Sequence, residues 1–144
     1  MSPQDPTSRS RPPPEGEEEA TSVLNLGEFQ NVDGLTLSEA SLVINAVLAK
    51  RTKEGKNMNQ NELLPRTLNY LDTFARFKKK ENVEAVERLL NAHPELAKFE
   101  KAQLGSLCCE KADEAKTVIP SLADKITDED LQELIDEIGK LMTD

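Results

Sequence analysis

The chain of 144 residues contains no tryptophan, one tyrosine, four phenylalanines, one histidine and two cysteines. So few aromatic rings cannot build a platform on which nucleic-acid bases stack. His93 is the single histidine, and Cys108 and Cys109 are adjacent, so the spaced ligand pairs of a zinc site cannot be assembled. No metal or other cofactor is expected. A bridge between neighbouring cysteines is too strained to serve as a staple, so the thiols are expected to be free, in a reducing intracellular compartment. Cationic side chains are also short: 18 Lys and Arg against 27 Asp and Glu leave a formal charge of −9, whose field repels phosphate. Apolar runs long enough to span a bilayer are missing, and residues 1–20 lack the apolar core of a secretory signal. Neither a Gly-rich phosphate loop nor a GxSxG elbow occurs, and His93 has no visible catalytic partner. An enzyme is not expected.

What remains is mostly helical pattern. Residues 1–20 hold Pro3, Pro6, Pro12, Pro13 and Pro14 and then Glu15, Glu17, Glu18 and Glu19, which predicts a disordered tail; the Pro3 and Pro6 spacing matches a PxxP ligand, a match that is frequent by chance in Pro-rich tails and is not expected to carry a binding role. Thr21–Gln30 carries Val23, Leu24, Leu26 and Phe29 as its only apolar content. Leu24 and Leu26 alternate like one face of a strand until Gly27 breaks the run. A lone strand so short either lies on the chain's own helices or adds to the edge of another protein's sheet.

Thr36-Leu37-Ser38-Glu39 has the form of a capping box and predicts a helix over about Leu37–Lys53. Ala40, Val43, Ile44, Val47 and Leu48 make one stripe, and Leu42, Ala46 and Ala49 widen it beyond what a surface helix needs. Both sides of this helix therefore call for cover. Lys50, Arg51 and Lys53 complement the negative end of its dipole. Gly55–Asn61 reads as a linker. A second helix is expected over Leu64–Phe77, with Pro65 tolerated in its first turn and Leu64, Leu68, Leu71, Phe74 and Ala75 on one face. Phe74 and Phe77 read as core anchors, and Arg76, Lys78, Lys79 and Lys80 as a solvated helix end or a minor phosphate contact.

A third helix, about Glu81–Ala92, carries Val83, Val86, Leu89 and Leu90 and should end at His93-Pro94, leaving His93 exposed. Phe99, Ala102, Gln103 and Leu107 then recur at helical spacing up to Cys108-Cys109, and Ala112, Ala115 and Ile119 after it, until Pro120. The two cysteines read as small buried apolar side chains at this junction. Thr127 caps the last helix, and Asp128, Glu129 and Asp130 lie at its positive end without the spacing of a calcium loop. Leu131, Leu134, Ile135, Ile138, Leu141 and Met142 trace the clearest apolar stripe. The residues alone thus specify an acidic, all-α interaction module.

Four stretches, FARFK at Phe74–Lys78, KFEKAQLGSLCCE at Lys98–Glu110, EAKTVIPSLADKI at Glu114–Ile126 and LQELIDEI at Leu131–Ile138, come in the order seen in one family. The chain resembles, over roughly Leu24–Met142, the polymerase stalk subunits that comprise the fourth-largest subunit of eukaryotic RNA polymerase II and its archaeal counterpart. The resemblance implies an arm and first helix (21–54) associated with the tip domain of a partner, a linker (55–61) and an HRDC-like helical bundle (62–144), with the tail (1–20) outside the likeness. It implies a nuclear, non-catalytic subunit that pairs with the OB-domain stalk subunit, docks on the RNA polymerase II core beside the RNA exit path, and supports initiation and transcript handling. Val23, Leu24, Leu26, Phe29, Val43, Ile44 and Val47 are the expected partner contacts. The alternatives are the equivalent subunit of another nuclear polymerase and a free-standing HRDC-like domain that binds nucleic acid or acts as an adaptor.

Overall fold

A computed structural model describes residues 21–55 and 62–142. The expected tail, its PxxP spacing and nearly all of the expected linker lie outside those residues. Among them, six α-helices and no strand occur: α1 Leu37–Lys53, α2 Leu63–Phe74, α3 Lys80–Asn91, α4 Lys98–Leu107, α5 Ala112–Val118 and α6 Asp128–Lys140. The all-α expectation holds. Short 3-10 turns precede α1 at Gly27–Phe29 and link α5 to α6 at Pro120–Leu122.

The core is made mainly by α3 to α6. Val83, Val86 and Leu90 of α3 meet Leu104 of α4, Ala112 and Ala115 of α5, and Leu131, Leu134, Ile135 and Ile138 of α6, with Ile119 and Leu122 filling the corner between α5 and α6. Helix α6 has the phase its sequence predicts: the Thr127 hydroxyl accepts from the Asp130 amide at 3.1 Å, and four aliphatic side chains one turn apart go inward. Its Gln132 also reaches across to cap α5, accepting from the Ala112 amide at 2.8 Å and donating to the Glu110 carbonyl at 3.0 Å. Two orphan backbone groups are satisfied by one side chain.

Helix α4 differs from its expected phase. Phe99 and Leu107 are 39% and 46% exposed, whereas Glu100, Leu104 and Gly105 face inward. The inward face contains a carboxylate and a glycine, so hydrophobicity alone points to the wrong side. Glu100 is fully enclosed and has three partners: the Ser121 hydroxyl, the Lys125 ammonium at 2.7 Å and the Ala97 amide at 2.7 Å. That set of donors lets a charge sit in the interior. It also ties α4 to the α5–α6 connector.

Helix α4 ends at Cys108, whose backbone is left-handed (φ 50°, ψ 54°). Cys109 is buried and Cys108 half-buried, both free, in agreement with a packing role. Burial pushes the Cys108 thiol up to about 11, against a smaller opposing pull from Arg76; burial, and then Glu114, push Cys109 up as well. Thiols held protonated in this way are poor nucleophiles.

Candidate partner interface

Helix α1 starts with the predicted capping box: the Glu39 amide donates to the Thr36 hydroxyl at 3.1 Å and the Thr36 amide to the Glu39 carboxylate at 3.0 Å. Three further contacts sew this end to the bundle. The Leu37 amide donates to Ser106 Oγ of α4 at 3.0 Å, and the Phe77 amide donates to Ser38 Oγ at 3.0 Å. Thr36 lies against Gly105, where an added Cβ would come within 2.5 Å of the threonine methyl and 3.2 Å of Leu90 Cδ1. Only glycine lets α1, α3 and α4 approach this closely.

Beyond its first turn α1 is poorly covered by its own chain. Ser38 is the sole buried residue in the helix, Leu42 packs at the edge of the core, and Ile44 is half-buried. Val43 and Val47, one turn apart, are 50% and 47% exposed. The wide apolar stripe read from the sequence is thus only partly used by α2, α3 and α4, the helices that α1 touches.

The arm forms no strand. Gly27 takes φ +57° and turns the chain, and the Gln30 side chain accepts from the Leu26 amide at 2.7 Å and donates to the Leu24 carbonyl at 3.2 Å. Two of the backbone groups that a strand would offer, the Leu26 amide and the Leu24 carbonyl, are taken by one local side-chain amide. Val23 and Phe29 are 75% and 66% exposed, and Leu24 and Leu26 half-buried. All seven expected partner residues therefore retain apolar surface, in two groups: a compact arm and one edge of α1.

Three expectations about α2 and α3 need correction. Helix α2 stops at Phe74 rather than Phe77 because Ala75 turns extended (φ −68°, ψ 124°), which sends Ala75 and Phe77 into the interior. Phe74, expected in the core, stays outside with Tyr70 and Leu63, a surface that sequence reasoning missed. His93 is half-buried rather than exposed, its Nδ1 2.9 Å from Glu95 Oε1. That contact, together with a local backbone hydrogen bond, lowers the Glu95 pKa, the backbone bond being the larger cause.

The basic cluster is partly self-contained. Lys78 donates to the Asp72 carbonyl at 2.6 Å, and Lys80 lies 3.9 Å from Glu84. Between α3 and α6, a groove of about 400 Å³ is lined by Asp130, Glu133, Asp136 and Glu137. Among the described residues no cluster of His, Cys, Asp or Glu is placed to hold a metal ion, and no helix is long and apolar enough to cross a membrane. The surface features that stand out are apolar and exposed.

The family model for RNA polymerase Rpb4 matches residues 34–142. The chain is 48% identical over 126 residues to DNA-directed RNA polymerase II subunit rpb4 of Schizosaccharomyces pombe, covering 86% of this chain and 92% of that one. Over 100 residues it is 46% identical to the RPB4 subunit of Saccharomyces cerevisiae, covering 67% of this chain and 42% of the yeast protein. The rpb4 subunit of Dictyostelium discoideum is 31% identical over 140 residues, 87% of this chain and 89% of its own. A helical bundle whose first helix is sutured to the Gly105-Ser106 step, matched over nearly all its described length by one family, belongs to the Rpb4 family of RNA polymerase subunits.

Proposed function

We propose that this chain is a nuclear, non-catalytic subunit of RNA polymerase II that forms a heterodimer with the OB-domain stalk subunit and supports initiation and handling of the emerging transcript. The partner contacts are Val23, Leu24, Leu26 and Phe29 of the arm and Val43, Ile44 and Val47 of α1. The observation that carries the reading is their exposure on a chain of this family: Val23, Phe29, Val43 and Val47 all keep about half or more of their surface in water. Full burial of an exposed aliphatic side chain is worth roughly 1.5–3 kcal/mol, so the half-covered Val43 and Val47 have about half of that left to contribute to association, from which the cost of immobilising two proteins is subtracted. The acidic, aromatic-poor composition suits a subunit that leaves RNA contact to its partner.

The test is co-elution of full-length chain and partner. Leu24→Asp with Leu26→Asp should weaken it; unchanged co-elution removes the arm from the interface. The free-standing nucleic-acid reading rests on Arg76 and Lys78–Lys80, two of which already lean on carboxyl or carbonyl oxygens of their own chain. It predicts tight, salt-dependent RNA or DNA binding by the isolated chain, and a flat titration ends it.

A further inference from the structure

Burial changes abruptly at Thr36. Thr36 and Ser38 are 3% and 1% exposed, whereas no residue from 21 to 35 is buried, and Val23, Phe29, Val32 and Leu35 each keep half or more of their surface in water. Among the described residues, the hydrogen bonds of 21–35 all stay within that segment, as from the Phe29 amide to the Leu26 carbonyl and from the Val32 amide to the Phe29 carbonyl. Neither a buried side chain nor a hydrogen bond fastens the arm to the bundle.

The chain nevertheless enters α1 in step with α4. Asp33 Oδ1 meets Lys98 Nζ at 2.5 Å, Gly34 lies against Ala102, Thr36 lies against Gly105, and the Leu37 amide donates to Ser106 Oγ. A Cβ on Gly34 would come within 3.2 Å of Ala102 Cβ, so glycine allows the close approach that brings Asp33 to the helix end. Lys98 is the first residue of α4, where the helix dipole disfavours a cation and favours the carboxylate that Asp33 supplies. No other ion pair joins residues 21–35 to the bundle among the described residues. Ordering this segment costs conformational entropy at every residue, and side chains left in water return little of it. The balance is close, and an exposed ion pair, which shifts an equilibrium by up to about fivefold, decides it.

We propose that Asp33 and Lys98 form an electrostatic latch. Closed, it holds residues 21–35 against α4; opened by salt or by loss of either charge, it frees them to turn about Leu35, while Thr36 stays fixed in its capping box. The consequence for association rests on the reading that the arm is a partner contact: a closed latch presents Val23, Leu24, Leu26 and Phe29 in one place and spares the partner the cost of ordering them. The latch itself is a property of the free chain. Glu39, Glu87 and Lys101 line the same hollow, and Lys101, 3.5 Å from Asn91 Oδ1, could take over from Lys98. Asp33→Asn is therefore the cleaner cut.

Nitrogen-15 relaxation of the full-length free chain tests this, because order on the nanosecond scale is separate from amide exchange with water. In dilute salt, residues 25–32 should show heteronuclear NOE values close to those of α6. Asp33→Asn, or about 1 M salt, where screening acts within about 3 Å, should drop those values well below and leave α3 to α6 unmoved. Asp33→Lys with Lys98→Asp should restore them. An arm already mobile in the unaltered chain at low salt, an arm still ordered in Asp33→Asn, or a reversed pair that restores nothing would each overturn the latch. Failure of the OB-domain stalk subunit to bind removes the proposed arm contact and leaves the latch, read in the free chain, standing.

Discussion

The two halves of the molecule treat apolar side chains in opposite ways. In α3, α5 and α6 every residue of the predicted stripes is buried or packed against the core apart from Met142 at the end of the last one, and the outer faces are mainly charged, with Val118 of α5 the large apolar exception. In the arm, α1 and α2 the stripes are only half used, and Val23, Phe29, Val43, Val47, Leu63, Tyr70 and Phe74 remain in water. The first half is complete as a single chain, whereas the second has surplus apolar surface. The difference separates what folding requires from what association requires, because burial within one chain and burial against another draw on the same hydrophobic effect.

The closed half of the molecule is most vulnerable at Glu100. Glu100→Ala leaves the Lys125 ammonium and the Ala97 amide without their acceptor and should cost about 3–5 kcal/mol, read as a fall in the midpoint of urea denaturation. Glu100→Gln, which keeps the shape, should cost less. A loss under about 1 kcal/mol, the worth of an exposed pair, would mean that the buried carboxylate does not hold the sealed half together.

Gly105→Ala attacks the seam between the halves. Its Cβ meets Thr36, which is held in the capping box and cannot easily turn aside. A loss of about 1–3 kcal/mol is expected, the usual range for overpacking. Amide exchange in the first turn of α1 should quicken more than in α6, where no contact is touched.

A smaller effect is tied to pH. Burial holds the Cys108 thiol protonated up to about 11, against 9.0 in an unperturbed thiol. Below about 9 both folded and unfolded chains keep the proton and nothing changes. Between about 9 and about 11 the unfolded chain ionises first, so this residue's contribution to stability is lost as pH rises. Cys108→Ala should flatten that decline in a series of thermal melts, and an unaltered slope would assign it to other groups.

The smallest effect on stability is expected in the open half. Val43→Ser with Val47→Ser should change the unfolding free energy by no more than about 0.5 kcal/mol per site, since both side chains already meet water. The same pair should weaken partner binding severalfold or more. A large loss of stability with unchanged binding would reverse the assignment of the two halves.

Where the sequence could be read, one local signal decided the structure. Thr36 and Glu39 fixed the start of α1, and its end at Lys53 also agrees; Thr127 and the aliphatic spacing fixed α6. Where it could not, the deciding contact was distant or chemically disguised. The inward face of α4 consists of Glu100, Leu104 and Gly105, and the donors that make the carboxylate tolerable lie 21 and 25 residues further on. The end of α2 depends on Ser38, which is 39 residues before the Phe77 amide that it receives. Cys108 adopts a left-handed backbone that usually signals glycine or asparagine, so the terminus of α4 carried no recognisable mark. For the interface, apolarity identified candidates on the arm and α1. The same criterion placed Phe74 in the core, because helical spacing cannot tell a face covered by its own chain from one left open.

The most direct measurement is hydrogen exchange of the full-length chain, alone and with the OB-domain stalk subunit added. Residues 21–35 of the free chain should exchange fast and gain protection in the complex, as should α1, with α3 and α6 unchanged. Protection gained instead on the acidic faces of α3 and α6, with the arm and α1 still exchanging freely, would contradict the proposed interface.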